Sequence, residues 1–285
     1  MPLFKIFTKE KKKQIENFLH LDFPEGHKKL EYMTNYKYYD RCLSRITGYI
    51  SEQFSDFKLI DIGANVGDTA QIIRLAGNNF PILAIEGNKK YFSYLQKNIS
   101  IIKNIDICNV LLSDKEGSIS AELDSQNGTA RFVQSEEVSH VQTLDNVLEQ
   151  YPQYKNAKFI KVDTDGFDNI ILRGSQNYLN NTKPIIFMEY DPNYLIKNND
   201  NGLDIFKYLN SMGYNNAIMY QSFGEYMFSF NLDNEQFIAE MRDFFYKNTR
   251  IFYADLLLFN NDDLKIFEEV RNKEREFFNS EKLKS

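Results

Sequence analysis

The chain has few of the residues that build disulfides, metal centres or nucleophilic triads. Of its 285 residues two are cysteine, three are histidine and none is tryptophan. Cys42 and Cys108 form no disulfide framework, which agrees with a reducing compartment. His20, His27 and His140 show no metal-ligand spacing, and a lone histidine is more often structural. We keep only His140, which precedes a predicted strand, as a candidate base, and no Ser/His/Asp arrangement is legible.

Basic surface and long apolar runs are also lacking. The net charge is −6 and the pI is near 5.3, which argues against nucleic acid as the main partner. No apolar run approaches the roughly 20 residues that span a bilayer, and Met1–Phe7 is too short and interrupted for a secretory leader. We therefore expect a cytoplasmic protein. The basic run Lys9–Lys13 predicts either a solvated face or a peripheral contact with an anionic membrane.

What is present is a strand, a glycine turn and a helix in close succession over residues 58–69. The apolar strand ends at Asp61, Gly63 and Gly67 form the turn, and helical signals begin at Asp68 and Thr69. Such a turn lets a ligand approach the backbone, and the free N–H groups of the helix start attract polar atoms. About 20 residues later the next strand ends in Glu86, a position suited to ribose hydroxyls.

The middle position of this turn indicates which ligand it holds. A dinucleotide fingerprint has glycine there, so that a pyrophosphate can lie against the backbone, whereas this chain has Asn65. The flanking carboxylates of Asp61 and Asp68 suit a ligand with a positive centre and no phosphate, such as S-adenosylmethionine. The turn thus favours a methyltransferase over a dehydrogenase. An ordinary βαβ turn without a ligand is the alternative.

Strand and helix patterns alternate from Lys58 onward, which predicts a mainly parallel sheet closed by a late hairpin. We expect a helical N-terminal lead-in over residues 1–57, a catalytic domain over 58–260 with an inserted hairpin at 118–142, and a helical tail over 261–285. The third strand is predicted over Ile105–Leu112. Ser113 and Asp114 would follow it, with Asp114 placed either to bind an adenine amino group or simply to form a turn.

Carboxylates follow the fourth and fifth predicted strands. Asp163 and Asp165 come after one, and Glu189 and Asp191 end the next. If strands one and four flank the point where strand order reverses, these groups meet Asp61 in one crevice. Such a cluster can accept a proton, bind a divalent cation or orient a substrate, and the sequence leaves the three open.

Several of these motifs, in this order, resemble the FkbM-type S-adenosylmethionine-dependent methyltransferases. The resemblance covers roughly residues 56–192, with a looser echo at 255–259. Its blocks are Asp61–Asp68, Ala84–Asn88 with Leu95–Asn98, Thr143–Asp145 with Phe159–Asp168 and Leu172–Gly174, and Pro184–Glu189. The chain departs from the family at Asp165 and Asp168, where glutamate is usual, and at Asn169, where an apolar residue is usual.

The resemblance implies a Rossmann-like class I methyltransferase: an α/β fold with a mostly parallel seven-stranded sheet, helices on both faces and a late antiparallel hairpin. It also implies methyl transfer to a hydroxyl of a sugar, surface glycan or glycosylated metabolite. The alternatives are a small-metabolite or N-methyltransferase, and a degenerate fold that serves as a scaffold.

The site residues expected on this basis fall into three sets. The cofactor-binding set is Asp61, Gly63, Asn65, Gly67, Asp68, Thr69, Glu86, Gly87, Ser113, Asp114 and Asp163. The catalytic set is Asp163, Asp165 and Glu189. A divalent metal such as Mg²⁺ is left undecided, with Asp163, Glu189 and Asp191 as its candidate ligands.

Overall fold

The structure is a computed structural model that describes residues 21–100, 102–126, 129–248, 250–251 and 253–283, with the backbone alone for residues 120–137. The basic run and His20 lie outside these residues. The helices are α1 (Lys29–Asn35), α2 (Arg41–Ser51), α3 (Asp68–Leu75), α4 (Lys89–Ile99), α5 (Leu144–Gln150), α6 (Asp168–Arg173), α7 (Gln176–Thr182), α8 (Pro192–Lys197), α9 (Asp204–Ser211), α10 (Glu235–Phe245) and α11 (Leu264–Lys282). The strands are β1 (Leu59–Ile62), β2 (Ile82–Ile85), β3 (Ile105–Cys108), β4 (Leu111–Leu112), β5 (Gly117–Gln126), β6 (Thr129–Gln142), β7 (Phe159–Val162), β8 (Ile185–Tyr190), β9 (Tyr214–Gln221), β10 (Tyr226–Asn231) and β11 (Ala254–Asn260).

The main sheet has the order β10-β9-β11-β8-β7-β1-β2-β3. The five strands from β8 to β3 are parallel, and β11, β9 and β10 are antiparallel to their neighbours. The α/β fold and the late hairpin are confirmed. The prediction of seven strands is wrong, because β9 joins the sheet beside β11 and β10 pairs with β9 as an eighth, edge strand.

The third predicted strand is two strands in two sheets. β3 ends at Cys108, and β4 pairs instead with β6 in a separate three-stranded sheet that contains the inserted hairpin. The largely apolar stretch 105–112 was predicted as one strand, although the chain changes sheets near Asn109 and Val110. Residues 109–112, and not Ser113 and Asp114, therefore follow the carboxyl end of β3.

The two faces of the main sheet are packed by different helices. Ile60 and Val162 belong to a large apolar cluster with α5, α6 and α9. Leu59 and Phe159 belong to a second cluster with α2, α3 and α11. Because successive strand residues point to opposite faces, Asp61 and Lys161 lie on the second face and are its buried polar members. The C-terminal helix α11 packs on this second face through the buried side chains of Phe267 and Val270.

A stability prediction arises from Asn169, which occupies a position where the FkbM-type pattern has an apolar residue. Its side chain is fully buried, and neither amide atom has a hydrogen-bond partner among the described residues. An unsatisfied buried polar group costs about 1–3 kcal/mol. Asn169→Leu is therefore expected to raise the free energy of unfolding by about 1 kcal/mol, measured by urea denaturation.

Asn198→Leu is the matched control, because the Asn198 amide donates to the Gly166 carbonyl at 3.0 Å. The control substitution should lower stability. A loss of stability in both variants would mean that Asn169 has a partner in solution.

Candidate active site

A glycine loop, residues 63–67, connects β1 to α3 at the carboxyl edge of the main sheet. Gly63 and Gly67 have φ angles of 77° and 91°, and Asn65 has a left-handed φ of 50°. A Cβ atom on Gly63 would lie 1.9 Å from the Asp163 carbonyl oxygen. Glycine at position 63 therefore lets the loop lie directly against the end of β7, which pairs with β1 as the predicted reversal of strand order requires.

Glu86 follows β2 and fixes this loop from the opposite side. One carboxylate oxygen accepts the Asn65 N–H at 2.8 Å, and the other accepts the Asn88 N–H at 2.7 Å. Only 5% of Glu86 is exposed. Burial raises its pKa to about 7, against the opposing effect of the two backbone donors. The acid thus titrates near neutral pH beside the loop.

A cleft of about 560 Å³, counting its open mouth, lies between the glycine loop, β2 and the end of β7. The predicted residues that line it are Gly63, Asn65, Glu86, Gly87, Asp163 and Asp165. Its other lining residues are mainly apolar and were not predicted: Ile62, Ile85, Tyr91, Val110, Leu111, Leu112, Thr164, Phe167 and Ile171. The cleft therefore combines polar groups at one wall with an apolar slot at the other.

Lys161 is the residue of this edge that the sequence reasoning missed. It lies opposite Asp61 in the β1–β7 register, it is 2% exposed, and its ammonium is 3.1 Å from Asp61 and 3.3 Å from Asp163. Burial alone would lower the pKa of Lys161, but these two carboxylates outweigh it and raise the pKa. The sequence did contain a signal for this residue, because Lys161 stands in an otherwise apolar strand, two residues before Asp163. Asp61 is thus an internal partner and does not line the cleft.

Three carboxylates extend from this pair toward the antiparallel strands. Val162 pairs with Met188, so Asp163 and Glu189 occupy the next positions of adjacent strands, and Glu189 pairs with Asp255 of β11. Burial opposes ionisation of Asp163, but Lys161 and Lys29 outweigh it and lower the pKa. Burial, together with the charges of Asp163 and Asp165, raises the pKa of Glu189 well above its usual range. Neighbouring acids therefore differ in basicity.

The turn after β7 is held by its own side chains. Asp165 has a left-handed φ of 51°. The Asp168 carboxylate accepts from the Thr164 hydroxyl at 3.1 Å and is 1% exposed. Burial, and next the charge of Asp163, raises the pKa of Asp168 to about 8. Asp168 therefore closes the turn before α6 through Thr164, and α6 itself has no side-chain hydrogen bond at its N-cap, Phe167.

Other predicted site residues lie outside the cleft. Asp68 and Thr69 are buried at the start of α3, and Gly67 packs on α4. Asp114 lines a separate cavity together with Arg173 and Asn177. The Ser113 hydroxyl donates a hydrogen bond to the Asp114 carboxylate. His140 lies in the smaller sheet and is hydrogen-bonded to Ser118. No role in the cleft follows for these groups from their positions.

The candidate metal ligands do not form a metal site. The Asp191 carboxylate caps α8 by accepting the Asn193 N–H at 2.8 Å. Asp163 already faces an ammonium group. Across the described ranges, no group of three or more His, Cys, Asp or Glu side chains is arranged to hold a metal ion. These residues do not fit a divalent cation.

Comparison with known proteins identifies the family. The sequence profile of the methyltransferase FkbM domain matches residues 61–215, more than half of the chain. The chain belongs to the FkbM methyltransferase family. The matched profile is that of a methyltransferase domain. The match begins at Asp61, within β1, so α1 and α2 precede the matched residues. A comparison with curated protein sequences finds no match.

Solved structures of methyltransferases resemble this FkbM chain at low sequence identity. An FkbM methyltransferase from Methylobacillus flagellatus KT is 14% identical over 88% of this chain, with a TM-score of 0.46, and the chain spans 59% of its length. The N-terminal domain of human METTL16 is 13% identical over 88% of this chain and 79% of that domain, with a TM-score of 0.46. Precorrin-6y C5,15-methyltransferase from Geobacter metallireducens GS-15 is 13% identical, with coverages of 75% and 86% and a TM-score of 0.38.

Within the described part of the chain, none of the helices has the length and apolar character needed to cross a bilayer.

Proposed function

We propose that this FkbM methyltransferase methylates a hydroxyl group of a saccharide acceptor, with the cofactor in the cleft described above. The observation that supports this placement of the cofactor is the arrangement of residues around the glycine loop. Gly63 allows contact with the backbone, Glu86 presents a buried acid to ribose hydroxyls, and Val110 and Phe167 line an apolar slot for adenine. When bound, the cofactor supplies an electrophilic methyl group on a sulfonium.

The proposed reaction is an in-line displacement in which the protein aligns two reactants. The S–CH₃ bond breaks, an O–CH₃ bond forms, and the hydroxyl proton passes to a carboxylate. Asp163 lines the cleft and is kept ionised by Lys161, so in this account it accepts the hydroxyl proton. Glu189 is not among the lining residues of the cleft; it lies beside Asp163 on the adjacent strand and assists it. No step uses a metal ion.

The test is a screen of neutral mono- and oligosaccharides with methyl-labelled S-adenosylmethionine, with the product site located by mass spectrometry. Asp163→Asn and Glu189→Gln should each lower kcat by about 10²-fold or more, while Asp191→Asn leaves it nearly unchanged. Full activity of Asp163→Asn with unchanged cofactor affinity would exclude its role. Methylation of amines alone would favour the N-methyltransferase reading.

Glu86 gives a pH prediction whose sign is opposite to that of an ion-paired acid. Its pKa is about 7 in the fold against an ordinary 4.5, so the folded state holds the proton more tightly. Stability is therefore lost as pH rises through this window. Ribose hydroxyls donate to the ionised form, so affinity for S-adenosylhomocysteine should rise with pH, by up to about tenfold per unit below pH 7. Calorimetry from pH 5.5 to 8 measures this dependence.

Glu86→Gln should abolish most of that pH dependence. If the affinity of the variant still rises with pH, the pH dependence belongs to another group, such as Asp168. Glu86 would then not be the proposed ribose contact.

A further inference from the structure

Residues 21–40, which precede the family domain, form an N-terminal segment that contacts the glycine loop from outside the main sheet. His27 lies 3.0 Å, Nε2 to Oδ1, from Asn65, the left-handed residue of that loop. The Lys29 N–H donates to His27 Nδ1 at 3.3 Å, which places the ring proton on Nε2 and directs it to Asn65. The ring also packs edge-on against Tyr91, a lining residue of the cleft, and it is 7% exposed.

A second contact holds the other end of the loop. The Lys29 ammonium is 2.6 Å from Asp68, the first residue of α3, and 3.0 Å from Asp40. Its side chain is 13% exposed, and that of Asp68 is 1% exposed. Burial alone would lower the pKa of Lys29, but Asp40 and Asp68 outweigh it and raise the pKa. One cation therefore ties α1, the start of α2 and the start of α3 together.

The same segment extends to the hairpin turn between β9 and β10. Tyr36 stacks on Phe223, with ring centroids 3.6 Å apart and planes 10° apart. A Cβ atom on Gly224 would lie 2.1 Å from the Tyr38 carbonyl oxygen, so backbone meets backbone there. The Tyr253 hydroxyl donates to the carbonyl of Ser222 beside this turn. Burial, and next the nearby charges that include Asp255 and Glu189, raises the pKa of Tyr253. The N-terminal segment thus contacts both the glycine loop and the turn between β9 and β10.

We propose that His27 and Lys29 are positioning residues of the cofactor site, and that cofactor binding tightens the N-terminal segment. Asn65 occupies a left-handed conformation that is unfavourable for a residue with a Cβ. Contacts from His27, Lys29 and Glu86 hold the loop in this shape before the ligand arrives. By linkage, groups that preorganise a binding loop raise the affinity, and the ligand in turn stabilises their docking. The inference rests on the proposed placement of the cofactor in the cleft.

The test combines titration with S-adenosylhomocysteine and hydrogen exchange of peptides from residues 21–40. Lys29→Met is expected to weaken binding about tenfold, and Lys29→Arg to recover most of the loss. Exchange of the segment in the wild-type chain should slow when S-adenosylhomocysteine binds. Lys37→Met is the control, because Lys37 lies in the same segment but pairs with Glu281 of α11 and is largely exposed.

Lys29→Met leaves Asp40 and Asp68 without a cation and can lose the fold, so Lys29→Met/Asp40→Asn and His27→Ala serve as second variants. Wild-type affinity in these folded variants, or exchange at 21–40 that S-adenosylhomocysteine does not change, would overturn the proposal. Failure of the wild-type chain to bind S-adenosylhomocysteine would instead remove the proposed cofactor site itself.

Discussion

Gly63→Ala is expected to abolish detectable binding of S-adenosylhomocysteine. The added methyl group would lie 1.9 Å from the Asp163 carbonyl oxygen, which belongs to the backbone and cannot turn aside. Relief requires that the glycine loop and the end of β7 move apart, and both line the cleft. The clash and the left-handed φ together should lower the free energy of unfolding by about 3 kcal/mol or more. Calorimetry and urea denaturation measure the two effects.

Gly77→Ala separates the backbone strain from the clash. Gly77 has a φ of 88°, but a Cβ atom there would meet nothing within 4 Å. The control variant should lose only about 1–2 kcal/mol and bind S-adenosylhomocysteine as the wild type does. Equal effects of the two substitutions would show that the close approach at Gly63 is unimportant for the cleft.

Lys161→Met is expected to lower the free energy of unfolding by about 3–5 kcal/mol, because it leaves buried Asp61 without its cation and removes one of the two cations that act on Asp163. The change should also raise the pKa of Asp163 and slow methyl transfer. Asp61→Asn/Lys161→Met removes both members of the buried pair. This double variant should regain most of the stability and remain defective in transfer.

Lys158→Met is the matched control for this prediction. Lys158 precedes the same strand, pairs with Asp263 at 3.1 Å and contacts the carbonyl of Lys183 at 2.8 Å, at the end of the sheet away from the cleft. Its loss should reduce stability without an effect on cofactor affinity or transfer. Full recovery of transfer in the Asp61→Asn/Lys161→Met variant would show that Lys161 serves only to neutralise Asp61.

Local patterns predicted the framework of the site well. The glycine loop and the acids after β2, β7 and β8 lie at one edge, because parallel strands end together and the chain alternates regularly there. Thr143 and Asn88 accept hydrogen bonds from the backbone of the helices that follow them. These features depend on neighbours in sequence.

The features that could not be predicted depend on tertiary packing. The chain changes sheets near Val110 within a largely apolar stretch, and the apolar wall of the cleft that follows was not predicted. The Asp61–Lys161 pair follows from strand register, which one sequence does not supply. The contacts of His27 and Lys29 join residues about 40 positions apart, outside any strand pattern.

The most direct test of the central claim is calorimetric titration of the full chain with S-adenosylhomocysteine and, separately, with NADH at pH 7.5. The account predicts one molecule of S-adenosylhomocysteine per chain, at least tenfold weaker binding by folded Glu86→Gln, and no saturable heat with NADH. Two results would contradict the assignment of the cleft: a folded wild-type chain that does not bind S-adenosylhomocysteine, or a Glu86→Gln variant that binds it with wild-type affinity.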